Sequence, residues 1–490
     1  MKNTVGLISF FEKKIIFYFI FSILICTTTL AQSVLISDDV SVRNDAGYVI
    51  VGKFKEKILL FRDRVLSFEV QAYDNQMHLD WKKNLAIDSR RGNVMDVVAG
   101  KDCFTAIVKY KLRGNTQIKL HRYNAEAKEI DTISVKDYGQ RYTLPAPQSV
   151  MSEDKTKLLI YNILEDQQIE ATVVDLENSK VIWDQVITTQ HTDLKRMLKH
   201  CSIDNYGSIH FVFFDEKSLG IFKSEDDFFE VLEYGPGYAS VTNQLVEIKN
   251  YHVYDQAFKY DNVNHRLLCA GLYSDKNREK AVGYFTFNLS TTHPEAYQIL
   301  FVLFDDAFIA NTLGKEQSTQ KGILDIKIQD LVLRKDGGVL LLVEEVRRLE
   351  RTSNLTSRSS FNNSAMMHIT TDYYYEDILA IAVNPDGSEQ WKNVLHKRQF
   401  SQDDDAIFSS YGVFKTPSGL RLLYNDEINV ETTTSAYQLR GNGSMERNTI
   451  FSTDRQDVFL RFRDALQVSS NEVIVPSEYR AELKLVRIRF

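Results

Sequence analysis

Cysteine, proline, glycine and tryptophan are all scarce in this chain of 490 residues: four Cys, seven Pro, 22 Gly and three Trp. One of the cysteines, Cys26, belongs to an N-terminal targeting segment. The other three, Cys103, Cys201 and Cys269, are an odd number and exclude a complete disulfide framework. Cys103 in "CFTAIV" and Cys269 in "LLCAGL" stand in apolar, strand-like runs, where a free thiol behaves as a small hydrophobe. The ten histidines include no i, i+2 or i, i+4 pair, and no Cys or His pair has zinc spacing. HExxH, GxSxG, P-loop and EF-hand patterns are absent too. The residues therefore lead us to expect no metal and no cofactor, and they point to no catalytic residue.

Long apolar runs are missing after the first 31 residues. The one at the start, Ile15 to Ile25, has only eleven residues, which suits a signal-peptide core and is short for a bilayer span. Lys2, Lys13 and Lys14 supply a positive leader, and "TLAQ" places small residues for cleavage after Ala31. Ile25 stands before Cys26 where a lipobox needs a small residue. Residues 1–31 thus read as a cleaved signal peptide. The mature chain is expected in the periplasm, at the cell surface or outside the cell, with no transmembrane segment. A basic excess is missing as well: 59 Lys and Arg face 66 Asp and Glu, a net charge of −7. That balance argues against nucleic acid and against an anionic membrane surface.

What the chain does have is a repeat. Trp81, Trp183 and Trp391 each follow a turn-rich stretch and precede Leu85, Ile187 or Leu395 by four residues. They are 102 and 208 residues apart, two units of 51 and four of 52. A unit near 50 residues made of short Val-, Ile-, Leu-, Phe- and Tyr-rich runs predicts a β-propeller. The clearest unit runs from "ILDIKIQDLVL" through a turn at Asp336-Gly337-Gly338, a long insert, "EDILAIAV" and a turn at Pro385-Asp386-Gly387 to "EQWKNVL", a four-stranded antiparallel blade. Turns before a fourth strand align near Asp74, Asn124, Glu177, Glu225, Ser290, Asp386 and Asn442, making seven hairpins. The C-terminal segment adds about three more strands, and "SVLISDDVSV" near the start supplies the fourth. This predicts one all-β domain, residues 32–490, of eight four-stranded antiparallel blades closed by both termini, with seven blades as the alternative. The tryptophans are assigned as structural repeat residues that fill the gap between blades at the rim, each N–H reaching a backbone carbonyl.

The stretch "VVDLENSKVIW" resembles the hairpin of PQQ-like propeller repeats, with Val173, Asp175 and Trp183 in register and Asn178-Ser179 where that family has Thr-Gly. "AYDNQMHLDW" and "AVNPDGSEQW" are one residue shorter. The resemblance implies a propeller. It carries over neither quinone binding nor dehydrogenase activity, because no cofactor residue matches.

Function is expected on the face that carries the strand 2–3 loops and the links between blades. The long loops there are Asp137 to Gln148, Thr188 to Lys199, Gly235 to Asp255, Phe304 to Lys321, Arg347 to Thr371 and His396 to Asp405, with loop insertions near 304–321 and 347–371. Candidate ligand-binding residues centre on the sixth blade: Tyr373, Tyr374 and Tyr375, then His396 and Arg398 opposite Asp403, Asp404 and Asp405, with Asp305 and Asp306 from the preceding blade. Aromatic and carboxylate walls suit a glycan, a basic peptide or a protein partner. The expected function is exported, non-catalytic binding or scaffolding. The competing reading is a glycan-active hydrolase or lyase using those carboxylates.

Overall fold

The computed structural model describes residues 32–490 apart from 89, 141–145, 165–166, 191–192, 216–226, 276–277, 291–296, 315–320, 356–365, 429–432 and 454–455. Residues 1–31, expected to be a signal peptide and including Cys26, lie outside the described residues, as do Glu225 and the middle of the Arg347 to Thr371 insert. Among the described residues no helix is long and apolar enough to cross a membrane.

The chain forms eight antiparallel four-stranded blades in a ring. Blades 1 to 7 are consecutive, at residues 47–84, 92–137, 148–188, 198–248, 252–303, 326–395 and 412–452. Blade 8 takes three strands from the C-terminus, Leu466–Ser469, Glu472–Tyr479 and Glu482–Arg489. Its fourth is the N-terminal strand Ser33–Ile36, paired antiparallel with the last one from Ser33↔Arg489 to Ile36↔Val486. Eight blades and closure by both termini are therefore as the repeat predicted. In blade 4 the turn before the fourth strand lies at 235–241, not near Glu225, so the expected loop Gly235 to Asp255 contains the strand Thr242–Ile248.

The continuous apolar runs follow from having a neighbour on both sides. In the second strand of blade 6, Leu341 and Val343 pack towards blade 5, while Leu340 and Leu342 pack towards blade 7. Eight such apolar clusters, one between each pair of adjacent blades, make up the core. First strands of neighbouring blades touch one another, so they line the central channel. Cys269 is buried, and Cys103 and Cys201 are partly so; all three are free thiols.

Each tryptophan follows the extra residue of a β-bulge. Trp81 pairs with Ala72, Trp183 with Val173 and Trp391 with Ala382, and Asp80, Ile182 and Gln390 are the unpaired residues before them. The bulge turns the ring over the next blade. Trp183 Nε1 donates to Gly207 O of blade 4 at 2.9 Å, and Trp391 Nε1 donates to Gly441 O of blade 7 at 3.0 Å. Trp81 packs between blades 1 and 2 with Lys83 Nζ 4.6 Å from its ring. The Pro385-Asp386-Gly387 turn requires its glycine: φ is +84°, and a Cβ would stand 2.1 Å from Leu300 Cδ1.

Candidate functional site

In antiparallel blades the strand 2–3 connections and the inter-blade links emerge on one face. Blade 6 dominates that face, though not with a loop. Its second and third strands run on to Val339–Leu355 and Met366–Val383, paired as far as Leu355↔Met366. The Ser/Thr/Asn-rich insert expected as a loop is thus a projecting hairpin over most of its described length. Its β-branched and aromatic residues, Ile369 to Thr371 and Tyr373 to Tyr375, favour strand. A further strand from the blade 6–7 link, Gln399–Gln402, pairs with Asp372 to Tyr375 and makes the projection a three-stranded platform.

The platform determines where the tyrosines point. Tyr373 and Tyr374 stand across from Arg348 and Arg347. The Arg348 guanidinium lies 5.8 Å from the Tyr373 ring, Arg347 lies 5.2 Å from Tyr374, and Arg463 of the blade 7–8 link lies 5.5 Å from Tyr375. One face of each ring is therefore taken by an arginine. Tyr374 also packs on Phe400, with centroids 5.1 Å apart.

His396 and Arg398 do not face Asp403 to Asp405. The strand Gln399–Gln402 separates them and places them at opposite ends of the platform. The three aspartates shape a turn with positive φ at Asp403, Asp405 and Ala406. Asp403 Oδ1 accepts from Thr371 N at 2.7 Å, Asp404 Oδ1 from Ala406 N at 2.9 Å, and Asp405 Oδ1 from the Tyr373 hydroxyl at 3.3 Å. Asp305 caps the helix α1 (Asp306–Thr312), accepting from Phe308 N at 2.8 Å, and pairs with Lys392 Nζ at 2.7 Å. Asp306 lies in the first turn of that helix. Asp305 and Asp306 are thus at the far end of α1 from the cleft described next.

The cleft that does form has a volume of about 680 Å³. It lies between the C-terminal end of α1, the root of the platform and the blade 6–7 link. Of the expected residues it contains His396 and Arg398. The others are Glu345, Arg347, Glu376, Asp377 and Arg447, with Asn311 to Gly314 from α1 and Lys397 at its floor. A second bulge brings its carboxylates together. Glu344 pairs with Ile378 and Val346 with Tyr375, so Glu345 alone faces both Glu376 and Asp377. Arg347 Nε is 3.7 Å from Glu345, and its guanidinium donates to Glu376. Arg398 Nε is 3.8 Å from Glu376, and His396 Nδ1 is 2.8 Å from Asp377 Oδ2. The sequence signal for this was two acid pairs, Glu344-Glu345 and Glu376-Asp377, bracketing the insert symmetrically; a hairpin makes them neighbours. Arg447 comes from blade 7 and had no local signal.

Burial, followed by the nearby Glu376 charge, pushes the Glu345 carboxyl up from 4.5 to about 7. Burial also pushes Asp377 up, against the pull of His396. Between about pH 4.5 and about pH 7 native Glu345 keeps a proton that the unfolded chain releases, so its contribution to stability is lost as pH rises through that window. Urea denaturation of Glu345→Gln is expected to show a flatter stability profile across the window than the parent. An equal slope in both proteins would show that Glu345 titrates normally.

No protein-family model and no curated protein sequence matches the chain. Among solved structures it is similar to the lmo1340 protein of Listeria monocytogenes EGD-e, at 10% identity over 79% of this chain and 92% of that one, with a TM-score of 0.38. Prolyl oligopeptidase B of Galerina marginata is similar at 8% identity over 91% of this chain and 55% of that one, with a TM-score of 0.42. The β-propeller domain of the Trilobed protease of Pyrococcus furiosus is similar at 9% identity over 83% of this chain and 99% of that one, with a TM-score of 0.35. At these identities the likeness concerns the propeller fold alone.

Proposed function

We propose that this protein is an exported binding or scaffold protein of the periplasm, cell surface or exterior, and that its working site is the blade 6 cleft with the platform above it. The observation that carries this is the convergence of Glu345, Glu376, Asp377, Arg347, His396 and Arg398 on one open cleft. Alternating charges of both signs suit a peptide or protein partner that presents charged side chains. A glycan stacked on the tyrosines is the weaker choice, because arginines already cover one face of each ring. The second reading, a glycan-active hydrolase or lyase, draws on one feature: a Glu345 that holds its proton near neutral pH beside Glu376 can act as a general acid.

The test is a thermal-shift screen against charged peptides, oligosaccharides and peptidoglycan fragments. A ligand at 100 times its Kd adds about 2.7 kcal/mol of stability. A peptide is expected to raise the Tm of the parent, and Glu376→Gln/Arg398→Ala is expected to lose that shift. A shift unchanged in the double variant would remove the cleft from the proposal. Turnover of an oligosaccharide that Glu345→Gln abolishes would favour the enzyme.

A further inference from the structure

The sheet above the blade 6 cleft carries a pattern of its own. Alternate side chains of a strand share a face, and directly opposed residues of antiparallel strands share it too. Arg347 opposes Tyr374, which opposes Phe400, and Leu349 opposes Asp372, which opposes Gln402. These two rows therefore lie on one face of the platform. The contacts agree: the Arg347 guanidinium is 5.2 Å from the Tyr374 ring, and that ring is 5.1 Å from Phe400. Glu376 stands two residues from Tyr374 on the same strand, and Glu376, Arg347 and Arg398 all line the cleft. One continuous face thus runs out of the cleft and up the platform.

Its chemistry changes with height. At the root stand the carboxylates Glu345, Glu376 and Asp377. Arg347 Nε is 3.7 Å from Glu345, past hydrogen-bond reach. Above them the strip turns apolar. Leu349 is 49% exposed and Phe400 is 47% exposed, and they stand on the two strands that flank half-buried Tyr374. At the top Arg351 Nε pairs with Asp372 Oδ2 at 2.6 Å, and Gln402 donates to the same carboxylate at 2.7 Å, which closes the strip. A single exposed leucine needs no explanation. Two large apolar side chains and a tyrosine on one face, continuous with a charged cleft, have the anatomy of an interface.

Charge and spacing select the occupant. Burial first, and then the Glu376 charge, push the Glu345 carboxyl up to about 7. A cation from a partner offsets the second of these and supplies the hydrogen bond that Arg347 does not give. Two residues along a strand span about 7 Å, which is the distance from the Glu376 row to the Tyr374 row. It is also the distance between same-side side chains at positions i and i+2 of an extended peptide.

We propose that the cleft and this face of the platform bind an extended peptide, with a Lys or Arg side chain among Glu345, Glu376 and Asp377 and a large apolar side chain two residues away on Leu349, Tyr374 and Phe400. The inference rests on the reading of the cleft as a peptide site and names the peptide. The test is isothermal titration of the full-length protein at pH 8, where Glu345 is ionised, with end-blocked pentapeptides that carry no terminal charge. Ala-Arg-Ala-Phe-Ala and its reverse, Ala-Phe-Ala-Arg-Ala, cover both chain directions. The expected result is saturable binding of one of them, weakened about tenfold or more when Glu replaces Arg and about fivefold when Ala replaces Phe. Leu349→Ser/Phe400→Ser changes two exposed positions, so this variant is expected to fold. It is expected to lose the preference for Phe over Ala and to keep the preference for Arg over Glu. A Phe peptide that binds no better than its Ala counterpart, or a Phe preference that survives in the double variant, would overturn the inference and leave the cleft reading standing. Equal binding of the Glu peptide would overturn the charge assignment. Failure of both Arg peptides would also sink the inference, and the cleft reading falls with it only if the thermal-shift screen of charged peptides is flat as well.

Discussion

Replacing Lys397 by Met is expected to destabilise the protein by about 3–5 kcal/mol, the cost of leaving a buried charge without its partner. Lys397 Nζ is 2.6 Å from Glu344 Oε1, and both side chains are 0% exposed. The ammonium also donates to Tyr375 O and to Gln399 Oε1, each at 3.0 Å, and Ser410 Oγ donates to Glu344 Oε2 at 2.6 Å. Glu344 belongs to blade 6, Lys397 to the link and Ser410 to the lead-in to blade 7. The pair therefore fastens two blades and forms the floor of the cleft. Desolvation dominates both groups, pushing Glu344 up and Lys397 down against their mutual attraction. For that reason the double variant Lys397→Met/Glu344→Leu is expected to recover most of the loss. Urea denaturation of the two single variants and the double closes the cycle. Strict additivity, or a Lys397→Met cost under about 1 kcal/mol, would mean that the pair does not hold the blades.

Removing the closing strand is expected to have an effect of similar size. A protein that starts at residue 42 loses the pairing of Ser33–Ile36 with the last strand and of Val40 with Leu483. It also loses the mutual bonds of Ser37 with Leu485, Ser37 N to Leu485 O at 3.0 Å and Leu485 N to Ser37 Oγ at 2.9 Å. Val34 and Ile36 would no longer pack on the cluster between blades 7 and 8. At about 1 kcal/mol per net hydrogen bond, with two apolar side chains added, the loss is about 4–6 kcal/mol. The newly open edge of Glu482–Arg489 is expected to promote association between molecules. A lower urea midpoint, restored by adding the 33–41 peptide, is the expected result. A midpoint unchanged by truncation would show that the ring does not depend on this strand.

The fold was legible because a propeller repeats itself. Three tryptophans at multiples of about 51 residues, each four before a buried Leu85, Ile187 or Leu395, mark equivalent fourth strands. A three-stranded C-terminal remnant needs a fourth strand from elsewhere, and an apolar N-terminal segment was available. The site was only partly legible. His396 and Arg398 line the cleft, but not opposite Asp403 to Asp405 as expected. The Ser- and Asn-rich insert read as a loop because composition does not show that Val346 to Leu355 finds a partner strand in Met366 to Tyr375. Asp403 to Asp405 and Asp305 were expected to line the site, yet Asp404 braces its own turn, Asp403 and Asp405 accept from Thr371 N and the Tyr373 hydroxyl on the platform, and Asp305 caps a helix.

By itself the sequence determined what depends on period and local chemistry: most of the strands and their turns, a ring of eight blades with seven as the alternative, and the closure of that ring. The tertiary structure alone decided which charges meet. A one-residue bulge turns Glu345 towards Glu376 and Asp377, and the docking of blade 7 on blade 6 buries Lys397 against Glu344. Both depend on register and on neighbours distant in the chain, and neither leaves a periodic trace in the order of residues.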